Sequence, residues 1–159
     1  MSLAFTVYGT PGAQGSKRYV GHGIMVESSK RVKPWRQDVK AAAEAAIEAW
    51  EQRQPLAAGT WHPIDGAVDV SVTFCWPRPK SHFRTGRNAD LLRDNAPTHP
   101  TSRNLGDIDK LLRSTFDALT SAGVWVDDAL VVTVMASKAW CDPGQRPGAT
   151  VSVLEVGAC

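Results

Sequence analysis

Disulfide chemistry has little to work with in this chain. Its three cysteines, Cys75, Cys141 and Cys159, are widely spaced among 159 residues, which excludes a disulfide framework and a CxxC zinc pair. Zinc chemistry fares no better with histidine, since His22, His62, His82 and His99 show neither HExxH nor HxxxH spacing. No run approaches the roughly 20 apolar residues of a membrane span, and the N-terminus lacks a signal-peptide pattern. These absences together give the expectation of a soluble protein in a reducing, intracellular setting. Net charge is also small, at +2, so the total does not announce a nucleic-acid binder. A hydrophobic content of 43% is enough for one domain with a true core.

The distribution of charge says more than its sum. Residues 14–36 carry Lys17, Arg18, Lys30, Arg31, Lys33 and Arg36 against Glu27 alone, and residues 77–106 carry Arg78, Lys80, Arg84, Arg87, Arg93 and Arg103 against Asp90 and Asp94. Two basic segments flanking an acidic cluster would suit a polyanion held near a metal, and would equally suit two solvated loops.

Periodicity orders the chain. AFTVYG at 4–9 reads as a strand stopped by Thr10-Pro11-Gly12, followed by a Gly-rich basic loop over 13–24. From about Pro34 an Ala-rich run with Trp35, Val39, Ala43, Ile47 and Trp50 at helical steps predicts a helix ending before Pro55. Residues 54–66 read as a linker, and AVDVSVTFCW at 67–76 alternates as a half-buried strand. The next thirty residues, to about Leu105, keep no period, and a loop that long is functional or mobile without its ligand. A second helix is expected from about Lys110 to Ala122 with Gly123 as its left-handed cap, then strands at 130–140 and 150–156. The fold class is therefore α/β (α+β): a single domain with a mixed β-sheet and two main helices.

Four carboxylates stand out. Asp107 and Asp109 sit one residue apart before the second helix, and Asp127 and Asp128 follow it. In an extended segment residues i and i+2 point the same way, so Asp107 and Asp109 can share a ligand if they lie on the approach to the helix. A strand returning from the Gly123 turn would bring one of the second pair back toward them. Converging carboxylates without histidine or thiolate make a hard, all-oxygen site suited to Mg²⁺ or Mn²⁺ and, with it, a phosphate substrate. The same residues also read as a helix N-cap at Asp109 and a simple turn at Asp127-Asp128. Asp117, placed mid-helix, stays outside the expected site.

The segment DIDKLLRSTFDALTSAGVWVDDALVV, residues 107–132, resembles the signature of the RusA-like Holliday junction resolvases. That family shows an aspartate pair in DxDN, a helix reading roughly LxKxxFDAL, a glycine turn, and an Asp-Asp pair before a strand. Here these are Asp107-Ile108-Asp109, Phe116-Asp117-Ala118-Leu119, Gly123 and Asp127-Asp128, in order and at the right spacing. The resemblance implies a small homodimeric, Mg²⁺-dependent endonuclease (Mn²⁺ as substitute), common in phages and prophages, acting in the cytoplasm of a bacterial host. Such enzymes cut four-way DNA junctions by paired nicks, with metal-activated water attacking the phosphodiester. It further implies Asp107, Asp109 and Asp128 as catalytic metal ligands with Asp127 supporting, and Lys17, Arg18, Arg113 and Lys138 as DNA contacts, while Lys110 is expected to contact DNA, pair with a site carboxylate or start the helix in a solvated position. Two residues depart from the pattern: Lys110 stands where the family has Asn, and Arg113 where it has Lys. The basic loop 77–106 is longer than in compact members. A nuclease for flaps and forks, or a non-catalytic binder of branched DNA, would share the fold.

Overall fold

The computed structural model describes residues 1–15, 17–27, 29–54 and 60–157, without the side chains of residues 17, 18 and 25–27. Four strands form one sheet in the order β1-β6-β4-β5: β1 (Ser2–Tyr8), β4 (Val68–Trp76), β5 (Val131–Trp140) and β6 (Gly148–Glu155). β6 lies antiparallel between β1 and β4, whereas β5 runs parallel to β4 along its outer edge. A parallel pair needs a crossover. Residues 77–130 supply it, and they contain both the long basic loop and helix α2 (Ile108–Ser121). Helix α1 (Val32–Arg53) packs beside α2 and over β1.

Alternation along β4 decides where the core lies. Val68, Val70, Val72, Phe74 and Trp76 are buried on the helix side, and Ala149, Val151 and Val153 of β6 continue that face beside them. The helices answer with Trp35, Val39 and Ala43 from α1 and Leu111, Ala118 and Leu119 from α2. Both helices therefore present one apolar stripe to a single sheet face. The edge strand β5 escapes this cover, leaving Val132, Val134 and Met135 exposed.

Several expectations shift in detail. The Gly-rich stretch 13–24 is not all loop: β2 (Lys17–Tyr19) pairs antiparallel with β3 (Met25–Glu27) as a two-stranded ribbon. The expected linker contains Ile64, which exchanges backbone hydrogen bonds with Val124 and Val126 and bridges Trp125. Trp61 closes the same corner by donating its ring N–H to the Gly123 carbonyl. Gly123 does take the left-handed conformation of a helix terminus, with φ of 73°. The loop 77–106 is built from short 3₁₀ turns, a Phe83–Leu92 bridge and an Arg84–Asp94 ion pair. Cys75 and Cys141 are free thiols in hydrogen-bonding contact, and burial pushes the Cys141 thiol up to about 12. Among the described residues no helix is long and apolar enough to cross a membrane.

Candidate active site

Helix α2 begins two residues earlier than its apolar stripe suggests, and this changes the first acidic pair. Asp107 is the N-cap, with extended backbone at φ −80° and ψ 144°, whereas Asp109 lies inside the first turn. The two carboxylates thus straddle the helix start instead of sharing one extended approach. An acidic residue in the first turn is stabilised by the exposed N–H groups there, which favours the earlier start.

Gly106 makes the turn into Asp107. Its φ is +86°, and an added Cβ would run into the Ala13 side chain. Its carbonyl accepts a hydrogen bond from Lys138 Nζ at 2.9 Å. Replacing Gly106 by Ala should cost about 1–2 kcal/mol for the left-handed backbone alone, with the Ala13 contact adding to it. The expected result is a Tm several degrees lower in a thermal melt, and an unchanged Tm would show that this turn relaxes freely.

Cations surround the helix start. Lys110 Nζ donates to Asp107 Oδ2 at 2.8 Å. That hydrogen bond and charge, with smaller contributions from Lys138 and Arg103, hold the Asp107 carboxyl below its ordinary value. Reciprocally, Asp107 and then Asp109 raise Lys110. The pair contributes at neutral pH and is lost as pH falls through the lowered Asp107 value or rises through the raised Lys110 value. Lys110→Asn, which restores the family's residue, should move the Asp107 titration upward when followed by carbon NMR. An unmoved titration would place the perturbation elsewhere.

The second pair follows the C-terminal end of α2 in the chain. Asp127 has extended backbone, and its Oδ1 accepts the Ala129 N–H at 2.8 Å, capping the short turn Asp128–Leu130. Asp128 opens that turn, exposed to solvent. Both line a groove of about 1080 Å³ together with Asp117 of α2 and the basic residues Lys30, Lys33, Arg36 and Lys40. Sequence reasoning set Asp117 aside as a solvated helix residue, yet it forms an ion pair with Arg36 across the two helices. Nothing in the local sequence signals that pairing, since it depends on how α1 crosses α2. Along α2, Asp109 and Asp117 are eight residues apart, or about 12 Å at the helical rise. Among the described residues no three His, Cys, Asp or Glu side chains are grouped closely enough to hold a metal ion. The structure therefore keeps Asp107 and Asp109 at one end of α2 and Asp127 and Asp128 with Asp117 along its flank.

The expected DNA contacts divide as well. Arg113 is exposed on α2, one turn beyond Asp109. Lys138 is partly buried, held on the Gly106 carbonyl and over the Trp76 ring at 5.9 Å. Lys17 and Arg18 belong to β2, but their side chains lie outside the described residues.

Comparison with known proteins agrees with the signature in residues 107–132. The sequence model of the family Endodeoxyribonuclease RusA matches residues 9–153. The crossover junction endodeoxyribonuclease rusA of Enterobacteria phage 82 is 41% identical over 56 residues, 35% of this chain and 47% of the relative. The crossover junction endodeoxyribonuclease RusA of Escherichia coli strain K12 gives the same identity over the same shares. That of Escherichia coli O139:H28 is 39% identical over 56 residues, again 35% and 47% of the two chains. The chain thus spans about half the length of the curated relatives it matches.

Proposed function

This chain belongs to the RusA endodeoxyribonuclease family, and on that premise we propose that it resolves four-way DNA junctions by paired, symmetric, Mg²⁺-dependent nicks. The observation that carries the proposal is the start of α2, where exposed Asp107 and Asp109 lie among Lys110, Lys138 and Arg103. Clustered negative charge gives a plain DNA binder no advantage beside phosphate, whereas a nuclease needs it to hold a cation.

The donor set fits a hard divalent ion. Its candidate ligands are Asp107, Asp109 and Asp128, all carboxylates, and Asp107, held ionised by Lys110, would exchange that ammonium for the cation. Bound there, Mg²⁺ (or Mn²⁺) would lower the pKa of water and offset charge developing on the phosphoryl oxygens. Asp127 is committed to the Ala129 N–H, which suits a residue that positions its neighbour, while Asp128 remains solvent-exposed. Assembly on one ion requires the Asp128 turn and the α2 start to approach each other when DNA binds.

The surrounding cations have separate tasks in this reading. Arg113 offers a planar fork to a phosphate near Asp109. Lys138 holds the Gly106 turn that aims Asp107. The ribbon bearing Lys17 and Arg18, the groove lysines and the basic loop would track the backbone, giving salt-sensitive affinity. Two symmetric nicks call for two sites, and a second copy of this chain is the partner suited to the exposed Val132, Val134 and Met135 of edge strand β5. The setting proposed is the cytoplasm of a bacterial host.

The test is cleavage of a labelled four-way junction, a flap and a linear duplex, each with Mg²⁺ or EDTA. Symmetric nicks in the junction alone, leaving 5′-phosphate and 3′-hydroxyl ends and abolished by EDTA, are expected. Equal cutting of the flap would make the protein a broader branched-DNA nuclease, and binding without cutting in either metal would make it a structural binder.

A further inference from the structure

The crossover that carries α2 also builds a second cavity, at the C-terminal ends of the parallel strands β4 and β5. It has a volume of about 620 Å³ and is walled by Trp76, Trp140, His82, Pro79 and Leu105, with Arg31 at its edge. That volume is ample for a small organic ring system, and the end of parallel strands is where open α/β sheets bind ligands.

Two atoms in this wall lack hydrogen-bond partners. Trp76 is only 4% exposed, and its ring N–H donates to nothing among the described residues. His82 Nδ1 is buried and unpartnered as well. A buried polar group left unpaired is costly, and both atoms are closed off by the surrounding side chains, so this wall is incompletely satisfied in the free protein. The remaining wall sets prolines Pro77, Pro97 and Pro147 beside the polar Ser102 and Asn104, with the His82 ring edge-on to Trp140 at 5.1 Å. Positive charge lies close by: the Arg78 guanidinium sits 5.2 Å over the Trp140 ring, and Lys138 Nζ lies over Trp76.

A flat ring with hydrogen-bonding edges, attached to a phosphate, meets all these conditions. We propose that the cavity receives an unstacked nucleobase of a DNA strand, held against Trp76 and Trp140 with its phosphate toward Arg78 and Lys138. Leu105 lines the cavity and directly precedes Gly106, whose carbonyl accepts from Lys138 Nζ, the same ammonium that lies 5.9 Å from the centre of the Trp76 ring. A base seated here would set the position of its own backbone against Asp107 and Asp109. The proposal rests on the reading of the protein as a DNA enzyme, but it needs neither junction preference nor cleavage.

Single strands in EDTA separate the two questions, because they offer unstacked bases whatever branched form the enzyme prefers. Fluorescence anisotropy would compare a short thymidine strand with an abasic strand of equal length, using the wild type, Trp76→Phe and Trp140→Ala. The Trp76→Phe change keeps an aromatic ring but trims away the pyrrole half of the indole, and a thermal melt confirms that it folds. The wild type should bind the thymidine strand roughly tenfold tighter than the abasic one, the scale of one stacked base. Trp140→Ala should lose most of that margin and Trp76→Phe a smaller part, each keeping its affinity for the abasic strand. Equal affinity of the wild type for both strands, or variants that weaken both alike or neither, would overturn the proposal. Failure of the junction assay beside a preserved base margin would count against the resolving activity and not against this cavity.

Discussion

Asp109→Asn should lower junction cleavage by roughly a hundredfold or more while binding holds or tightens. The change is nearly isosteric and removes one charge from the first turn of α2. A metal ligand contributes several kcal/mol of transition-state charge stabilisation, and each 1.36 kcal/mol is about tenfold in rate. Its cost to folding is small, because an acid near a helix N-terminus contributes only about 0.3–1 kcal/mol. Affinity for DNA should not fall, since the lost charge repelled phosphate. Asp107→Asn and Asp128→Asn should behave alike. Asp127→Asn should be milder, because its side-chain carbonyl can still accept the Ala129 N–H. Asp117→Asn breaks only the ion pair with Arg36 and should leave cutting within a few-fold. Single-turnover rates and anisotropy on the same junction measure both quantities. Cleavage surviving Asp109→Asn would remove Asp109 from the proposed metal site, and loss with Asp117→Asn would move that proposal into the flanking groove.

Trp35→Ala should be the most damaging single change to the fold, at about 3–5 kcal/mol. That is a large share of the 5–15 kcal/mol typical of a whole domain. Trp35 is fully buried in α1, and its ring N–H donates to Thr115 Oγ1 of α2 at 3.1 Å. The ring also tilts against Phe74 of β4 at 6.2 Å. One side chain thus ties both helices to the sheet. Trp35→Phe keeps an aromatic ring there and should cost less, since Thr115 still donates to the Leu111 carbonyl. Urea unfolding of the three proteins checks the order. Because α2 carries Asp107 and Asp109, the Ala variant should also cut poorly even where it remains folded. A loss below about 1 kcal/mol would mean that the helices find another packing.

The elements were legible in the sequence where one face is buried. Period-two alternation located β4 within a residue, and three- and four-residue spacing located α1 within two. The motif in residues 107–132 carried the family, because its spacing is written along one continuous stretch. Local sequence also contained the Gly123 cap, which depends only on backbone freedom at that position.

Long-range placement was not legible. Whether Asp107 and Asp109 lie before or within the helix turns on where the first turn closes, and apolar spacing is silent about polar end positions. The Asp117–Arg36 pair and the groove holding Asp127 and Asp128 exist because α1 crosses α2, a contact between residues about eighty positions apart. Trp76 and Trp140 become neighbours only through the parallel register of β4 and β5, so the wall they share has no local signal. Sequence by itself determined the four strands of the main sheet, the two helices and the family motif, since these depend on near neighbours. Tertiary structure alone decided which charges face one another and where a base could enter, because those depend on the path of the chain through space.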